Sequence, residues 1–84
     1  MEIFIKVAPR DYESLRRQIP GNSPAREAID KATPIDYFVG GVQFEGYNIP
    51  CDENQARTIL EIARQHCPAI VREIQAAIRL AQPG

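Results

Sequence analysis

The chain has 84 residues, 44% of them hydrophobic and 25% charged, with ten basic side chains against eleven acidic ones. That length holds one core and predicts a single domain over residues 1–84, and eleven isoleucines with only short polar runs exclude a disordered chain. The net charge of −1 argues against nucleic acid and anionic membrane as partners, since both demand clustered Lys and Arg.

The opening residues, MEIFIKVAPRDYES, carry too short an apolar run for a signal peptide and break at Lys6 and Pro9. No stretch approaches the roughly 20 apolar residues that span a bilayer. The expected location is the cytoplasm. Residues 2–8 alternate, with Ile3, Ile5 and Val7 on one side and Glu2, Phe4 and Lys6 on the other, which is the pattern of a half-buried strand. Phe4 is the apolar exception on the polar side.

Pro9 suits a first helical position, and Tyr12, Leu15 and Ile19 recur at helical spacing until Pro20-Gly21 stops the run. Ser23-Pro24 reads as an N-cap followed by proline, opening a short helix with a small apolar face of Ala25, Ala28, Ile29 and Ala32. Thr33-Pro34 then returns the chain to extended geometry.

The stretch IDYFVGGVQFEGYNI holds three glycines. A two-residue turn at Gly40-Gly41 pairs Val39 with Val42 and Tyr37 with Phe44, and sets Phe38 and Asp36 opposite Gln43 and Glu45. The apolar parity changes at Gly46, beyond which Tyr47 and Ile49 are in phase. Either a second tight turn at Glu45-Gly46 or a β-bulge at Gly46 accounts for this. A phosphate loop does not fit. Gly41 to Gly46 matches G-x-x-x-x-G, but Tyr47-Asn48 follows where Lys-Ser or Lys-Thr is needed, and no helix begins there.

Asp52 and Gln55 form a capping box for the next helix, whose buried stripe is Ala56, Ile59, Leu60 and Ala63, with Cys67 in line. Pro68 ends or kinks it. PAIVREIQAAIRLA follows as a last helix with Ile70, Val71, Ile74, Ala77, Ile78 and Ala81 on one face, and a fraying QPG tail. The element order is β-α-α-β-β-α-α. It predicts an α+β fold, a small antiparallel or mixed sheet covered on one face by the two C-terminal helices.

Chemistry is scarce in this pattern. His66 and Cys67 are neighbours on a helix and point about 100° apart, so they are not a nucleophile and base. Cys51, Asp52, His66 and Cys67 lack zinc-ligand spacing. Cys51 and Cys67 bracket a helix roughly 20 Å long, which is too far for a disulfide. The carboxylates at Asp30, Asp36 and Glu45 are scattered. No catalytic residue, metal or cofactor is expected, and the chain reads as a non-enzyme.

Two binding classes remain. If the helices cover the face bearing Ile3, Ile5, Val7, Tyr37 and Val39, then Phe4 and Phe38 project together from the other, with Tyr47 a third member if Gly46 is a bulge. Asp36 and Glu45, in the acidic segment 30–56, would give selectivity for a protein partner or for a second copy. The alternative is a nucleic-acid-associated regulator. Arg57, Arg64, Arg72 and Arg79 recur at spacings of seven, eight and seven, although Glu53, Glu61 and Glu73 stand among them.

Overall fold

The computed structural model describes residues 2–82 and, at Val39, the backbone alone. Pro83 and Gly84, where fraying is expected, lie outside the described residues. The elements are β1 (Ile3–Val7), α1 (Pro9–Gln18), α2 (Pro24–Asp30), β2 (Thr33–Val39), β3 (Val42–Cys51), α3 (Glu53–His66) and α4 (Val71–Ala81), with a single 3₁₀ turn at Pro68–Ile70 before α4. The expected α+β order stands. The sheet is antiparallel throughout, in the order β1-β3-β2.

Local chemistry explains the boundaries. Ala8 is held extended by the proline that follows it, and Pro9 opens α1. The Ser23 hydroxyl accepts from the Ala25 amide at 3.3 Å and starts α2. Arg26 reaches back from α2 to the carbonyls of Arg16 and Ile19, at 2.8 and 3.5 Å, and so satisfies the open end of α1. The capping box at α3 is complete, with the Asp52 carboxylate accepting from the Gln55 amide at 2.7 Å and the Gln55 side chain accepting from the Asp52 amide at 2.9 Å. The remaining Gln55 Nε2 donates to the Pro24 carbonyl and ties α3 to the start of α2.

The core lies between the sheet and the helices. Ile3, Ile5 and Val7 of β1 and Ile49 and Cys51 of β3 supply the sheet side, and all are buried. α1 and α2 pack on β3, α4 packs on β1, and α3 lies between them and touches both strands. The cover is therefore broader than two C-terminal helices, because Leu15, Ala25, Ala28 and Ile29 of the first two are also buried. Alanines at 25, 28, 56 and 63 are fully enclosed, which lets the helices approach closely. Tyr12 stacks on Tyr47, ring centroids 4.1 Å apart, and its buried hydroxyl donates to the Ile29 carbonyl at 3.0 Å.

The register corrects both readings of Gly46. Gly40 and Gly41 have φ of 57° and 81°, the paired positive values of a type I′ turn, so the hairpin tip is as expected. From there β2 and β3 pair without a break from Val39↔Val42 to Thr33↔Asn48, and β1 pairs with β3 from Val7↔Tyr47 to Ile3↔Cys51. Gly46 is neither a second turn nor a bulge. It sits opposite Ile35 in straight strand, and a Cβ there would collide with the Val7 carbonyl and come within 2.8 Å of the Tyr37 ring. The glycine is required by close approach.

Candidate functional site

An uninterrupted β3 has a consequence for which side chains share a face. Residues directly opposite one another in an antiparallel pair lie on the same side of the sheet. Odd-numbered residues of β1 therefore join odd residues of β3, whereas odd residues of β2 join even ones. Ile3, Ile5, Val7, Tyr47, Ile49 and Cys51 face the helices. Tyr37, Phe44 and Val42 face the other way, with Phe4 and Ile35. The expectation that Tyr37 lies under the helices with the β1 isoleucines is thus overturned, and the Val39 side chain is outside the described residues.

Phe4, Val42 and Phe44 are left largely exposed on this second face, at 49%, 57% and 45%, whereas Tyr37 borders a hollow with Asp11, Ala69, Ile70 and Glu73. The Tyr37 and Phe44 rings stack across the strands at 5.8 Å. Lys6, Asn48 and Thr33 form one polar row across the face, in which Asn48 Oδ1 is buried without a hydrogen-bond donor.

The hairpin also outreaches the rest of the sheet. β1 stops at Val7, opposite Tyr47, so residues 35–39 and 42–46 continue beyond it as a two-stranded arm. Most of this arm is exposed, and Phe38 at its outer end is 68% exposed.

Phe4 and Phe38 are both accessible, but they do not form one patch. Phe38 lies on the helix side of the sheet, borders a hollow with Asp11, Ala69, Ile70 and Glu73, and pairs with Gln43. Phe4 lies on the bare side opposite Pro50, seven residues away along β3. Phe44 and Val42 share the bare face with Phe4 but lie six and eight residues farther along β3, beyond the polar row. Phe44 and Val42 fall outside the expected surface because they pair with Tyr37 and Val39, which the sequence pattern sets on the covered face. Tyr47 is a packing residue, stacked on Tyr12. Asp36 and Glu45 do meet, directly opposite each other on the helix side of the arm. With Pro9, Pro34, Gly46 and Tyr47 they line a shallow hollow where the arm leaves the body. Two like charges face each other there in solvent, which opposes pairing locally.

The arginines divide. Arg57, Arg64 and Arg79 line one groove between α3 and α4 with Leu60 and Ile78, and Arg72 is not among its lining residues. Arg57 is paired with Glu53 and Arg64 with Glu61, both at 2.9 Å. These carboxylates compete directly with any phosphate. Arg57 also holds the Glu53 carboxyl below the usual carboxylate range, through its hydrogen bond and its charge. Leu80, 88% exposed on α4, escaped the periodicity argument because it falls outside the buried stripe.

Cys51 and Cys67 are free, buried thiols. Cys51 donates to the Ile3 carbonyl, and burial, aided by the charges of Asp52 and Glu2, pushes its pKa up to about 12. Cys67 donates to the Ser14 hydroxyl at 3.1 Å. His66 is exposed in the last turn of α3. Among the described residues, no three His, Cys, Asp or Glu side chains gather as a metal site would require, and no helix is long and apolar enough to cross a membrane. Compared with known protein families, curated proteins and solved structures, the chain matches none.

Proposed function

We propose that the protein is a non-enzymatic interaction module that binds protein through the bare face of its sheet and the hairpin arm. The observation that carries this reading is the uncovered apolar face itself. Val42 and Phe44 remain largely exposed beside a stacked Tyr37 on the arm, and Phe4 is exposed farther along the same face. An apolar cluster of Val42, Phe44 and Tyr37, bounded towards the body by the polar row of Lys6, Asn48 and Thr33, has the composition of a recognition surface. Asp36 and Glu45, next to the arm's base, supply charge selectivity. Buried, reduced cysteines suit a reducing compartment, and the cytoplasm is the proposed location.

The test is capture from a lysate of the native host by immobilised wild-type protein and by Phe44→Asp, with and without nuclease. A protein captured by wild type, unaffected by nuclease and lost with Phe44→Asp, supports the reading. Equal capture by both forms removes the bare face from consideration.

A second reading has one observation in its favour, the convergence of Arg57, Arg64 and Arg79 on a single groove. A nucleic-acid-associated regulator using it would be captured with its partner only in the absence of nuclease. Its affinity would fall steeply with salt. The paired glutamates at positions 53 and 61 place it second.

A further inference from the structure

We propose that the free edge of β2 pairs antiparallel with the same edge of a second copy of this chain, about a two-fold axis at Tyr37, to give a continuous six-stranded sheet. The inference rests on the reading of the arm as a binding surface and names its partner. It begins from the hydrogen-bond phase of the hairpin. A type I′ turn closes with a bond between the residues that flank it, so Val39 and Val42 are a bonded pair. Bonded and non-bonded pairs then alternate down the arm. Tyr37 and Ile35 direct their amides and carbonyls inward to β3. Asp36 and Phe38 direct theirs outward, where no other backbone group of the described residues meets them.

Pro34 has the outward phase as well, so its missing N–H falls on the free edge and not in the ladder. It weakens the edge at one end and leaves Asp36 and Phe38 as the outward donors within β2. A strand with two donors and two carbonyls at adjacent outward positions is complementary to itself when reversed. Centring the axis on Tyr37 sets Asp36 opposite Phe38 of the second copy, and Phe38 opposite its Asp36. Each opposition exchanges two hydrogen bonds.

Charge separates this register from its neighbour. Centring on Asp36 would place Glu45, Asp36 and their two counterparts in one row of four carboxylates across the sheet. The Tyr37 register staggers them, with Phe38 between. On the bare face it also aligns Phe44 and Tyr37 with the same two residues of the second copy, an aromatic row across four strands, and it sets Ile35 opposite Val39 of the second copy. The apolar surface of the two arms becomes continuous. A net charge of −1 per chain adds little general repulsion. A contact of this length lies at the small end of specific interfaces, roughly 1,000 Å² in total, so the dimer is in rapid exchange with a Kd on the order of 100 µM.

The register can be tested by oxidative cross-linking. In the non-bonded pair at the axis, two Tyr37→Cys residues would have Cα atoms about 4.5 Å apart, within disulfide range. Two Ile35→Cys residues would be offset by four positions, roughly 13 Å. Tyr37→Cys is expected to form a disulfide dimer under mild oxidation at 100 µM, while Ile35→Cys and wild type, whose cysteines are buried, remain monomeric. Cross-linking of Ile35→Cys in preference to Tyr37→Cys would overturn the register.

Sedimentation velocity on unmodified protein, from 5 µM to 1 mM, provides the second measurement. Phe38→Pro, which deletes an outward amide and leaves the ladder to β3 intact, should weaken association at least tenfold. Phe38→Ala, which keeps the amide, should change it less than threefold. Asp36→Asn should tighten it about threefold by removing the staggered carboxylates. A wild type that is monomeric at 1 mM, or a Phe38→Pro protein that associates as wild type does, overturns the proposal. Neither result affects a foreign partner captured through Phe44, so the broader reading fails only in its own experiment.

Discussion

Gly46 is the residue on which the sheet depends most directly. A Cβ at this position would run into the Val7 carbonyl and the Tyr37 ring, so any side chain must push β1 away from β3 at the end of their ladder. Gly46→Ala is expected to lower the free energy of unfolding by about 1–3 kcal/mol in urea titration, the range for overpacking a close contact. Gly21 has open space around its Cβ position, and Gly21→Ala should change stability by less than about 0.5 kcal/mol. Similar losses at both positions would mean that the Val7 contact is not what constrains position 46. Cys51 carries a different signature. Its thiol is raised from an ordinary 9.0 to about 12 by burial first and by Asp52 and Glu2 after it. Below pH 9 both folded and unfolded chains hold this proton. Above pH 9 the unfolded chain releases it first, so stability falls as pH rises towards 12, by at most about 1.4 kcal/mol per unit. Unfolding free energies between pH 8 and 10.5 should decline more steeply for wild type than for Cys51→Ala, and parallel curves would remove Cys51 as the cause.

At the scale of elements, capping decides where α3 begins. Asp52 and Gln55 satisfy each other's backbone amides, and Gln55 also holds Pro24. Asp52→Ala should cost about 1 kcal/mol, measured by thermal or urea unfolding. A loss below about 0.3 kcal/mol would show that packing of Ala56, Ile59 and Leu60 alone sets the start of the helix. The hairpin is governed differently. Its turn is local, a Gly-Gly pair with positive φ at both residues, but its register and its facing follow from β1. β3 is ten residues long, shared between β1 at one end and β2 at the other, and the two ends present opposite apolar parities. A strand that is buried on one face near Ile49 and apolar on the other near Phe44 must leave one of the two sets in water. Here the helices reach the Ile49 end.

For the whole molecule, the functional expectation follows from that imbalance. The helices form one layer on one face, and the projecting arm and bare face remain as the available surface. A projecting two-stranded arm is stable only with support, from the body at Gly46 and Tyr47 or from a partner beyond it. Edge pairing through β2 and docking on the bare face around Phe44 are compatible, since the first uses backbone groups in the sheet plane and the second uses side chains perpendicular to it. A dimer joined at Tyr37 would double the bare surface offered to a larger partner. Phe44→Asp should therefore abolish capture of a foreign partner, whereas Phe38→Pro should reduce apparent affinity only as far as avidity contributes.

The elements and most of the core were legible in the amino-acid sequence because their signals are short in range. Alternation in β1, helical spacing in α1 and α3, the Ser23 and Asp52 caps and the Gly40-Gly41 turn each involve contacts within a few residues. The structure places each of them at or near the expected position. The face of the hairpin was not legible. Side-chain parity along a strand fixes which residues lie together, but not which set faces the helices, and that choice depends on where β1 pairs, some 45 residues away in the chain. The change of parity at Gly46 was visible, and it resembled a bulge because one strand was assumed to have one buried face. Only the tertiary structure shows that β3 serves two environments in succession. Burial of Ile49 between the sheet and α1–α3 outweighs burial of Phe44, because the helices pack over the Ile49 end of the sheet and leave Phe44 45% exposed.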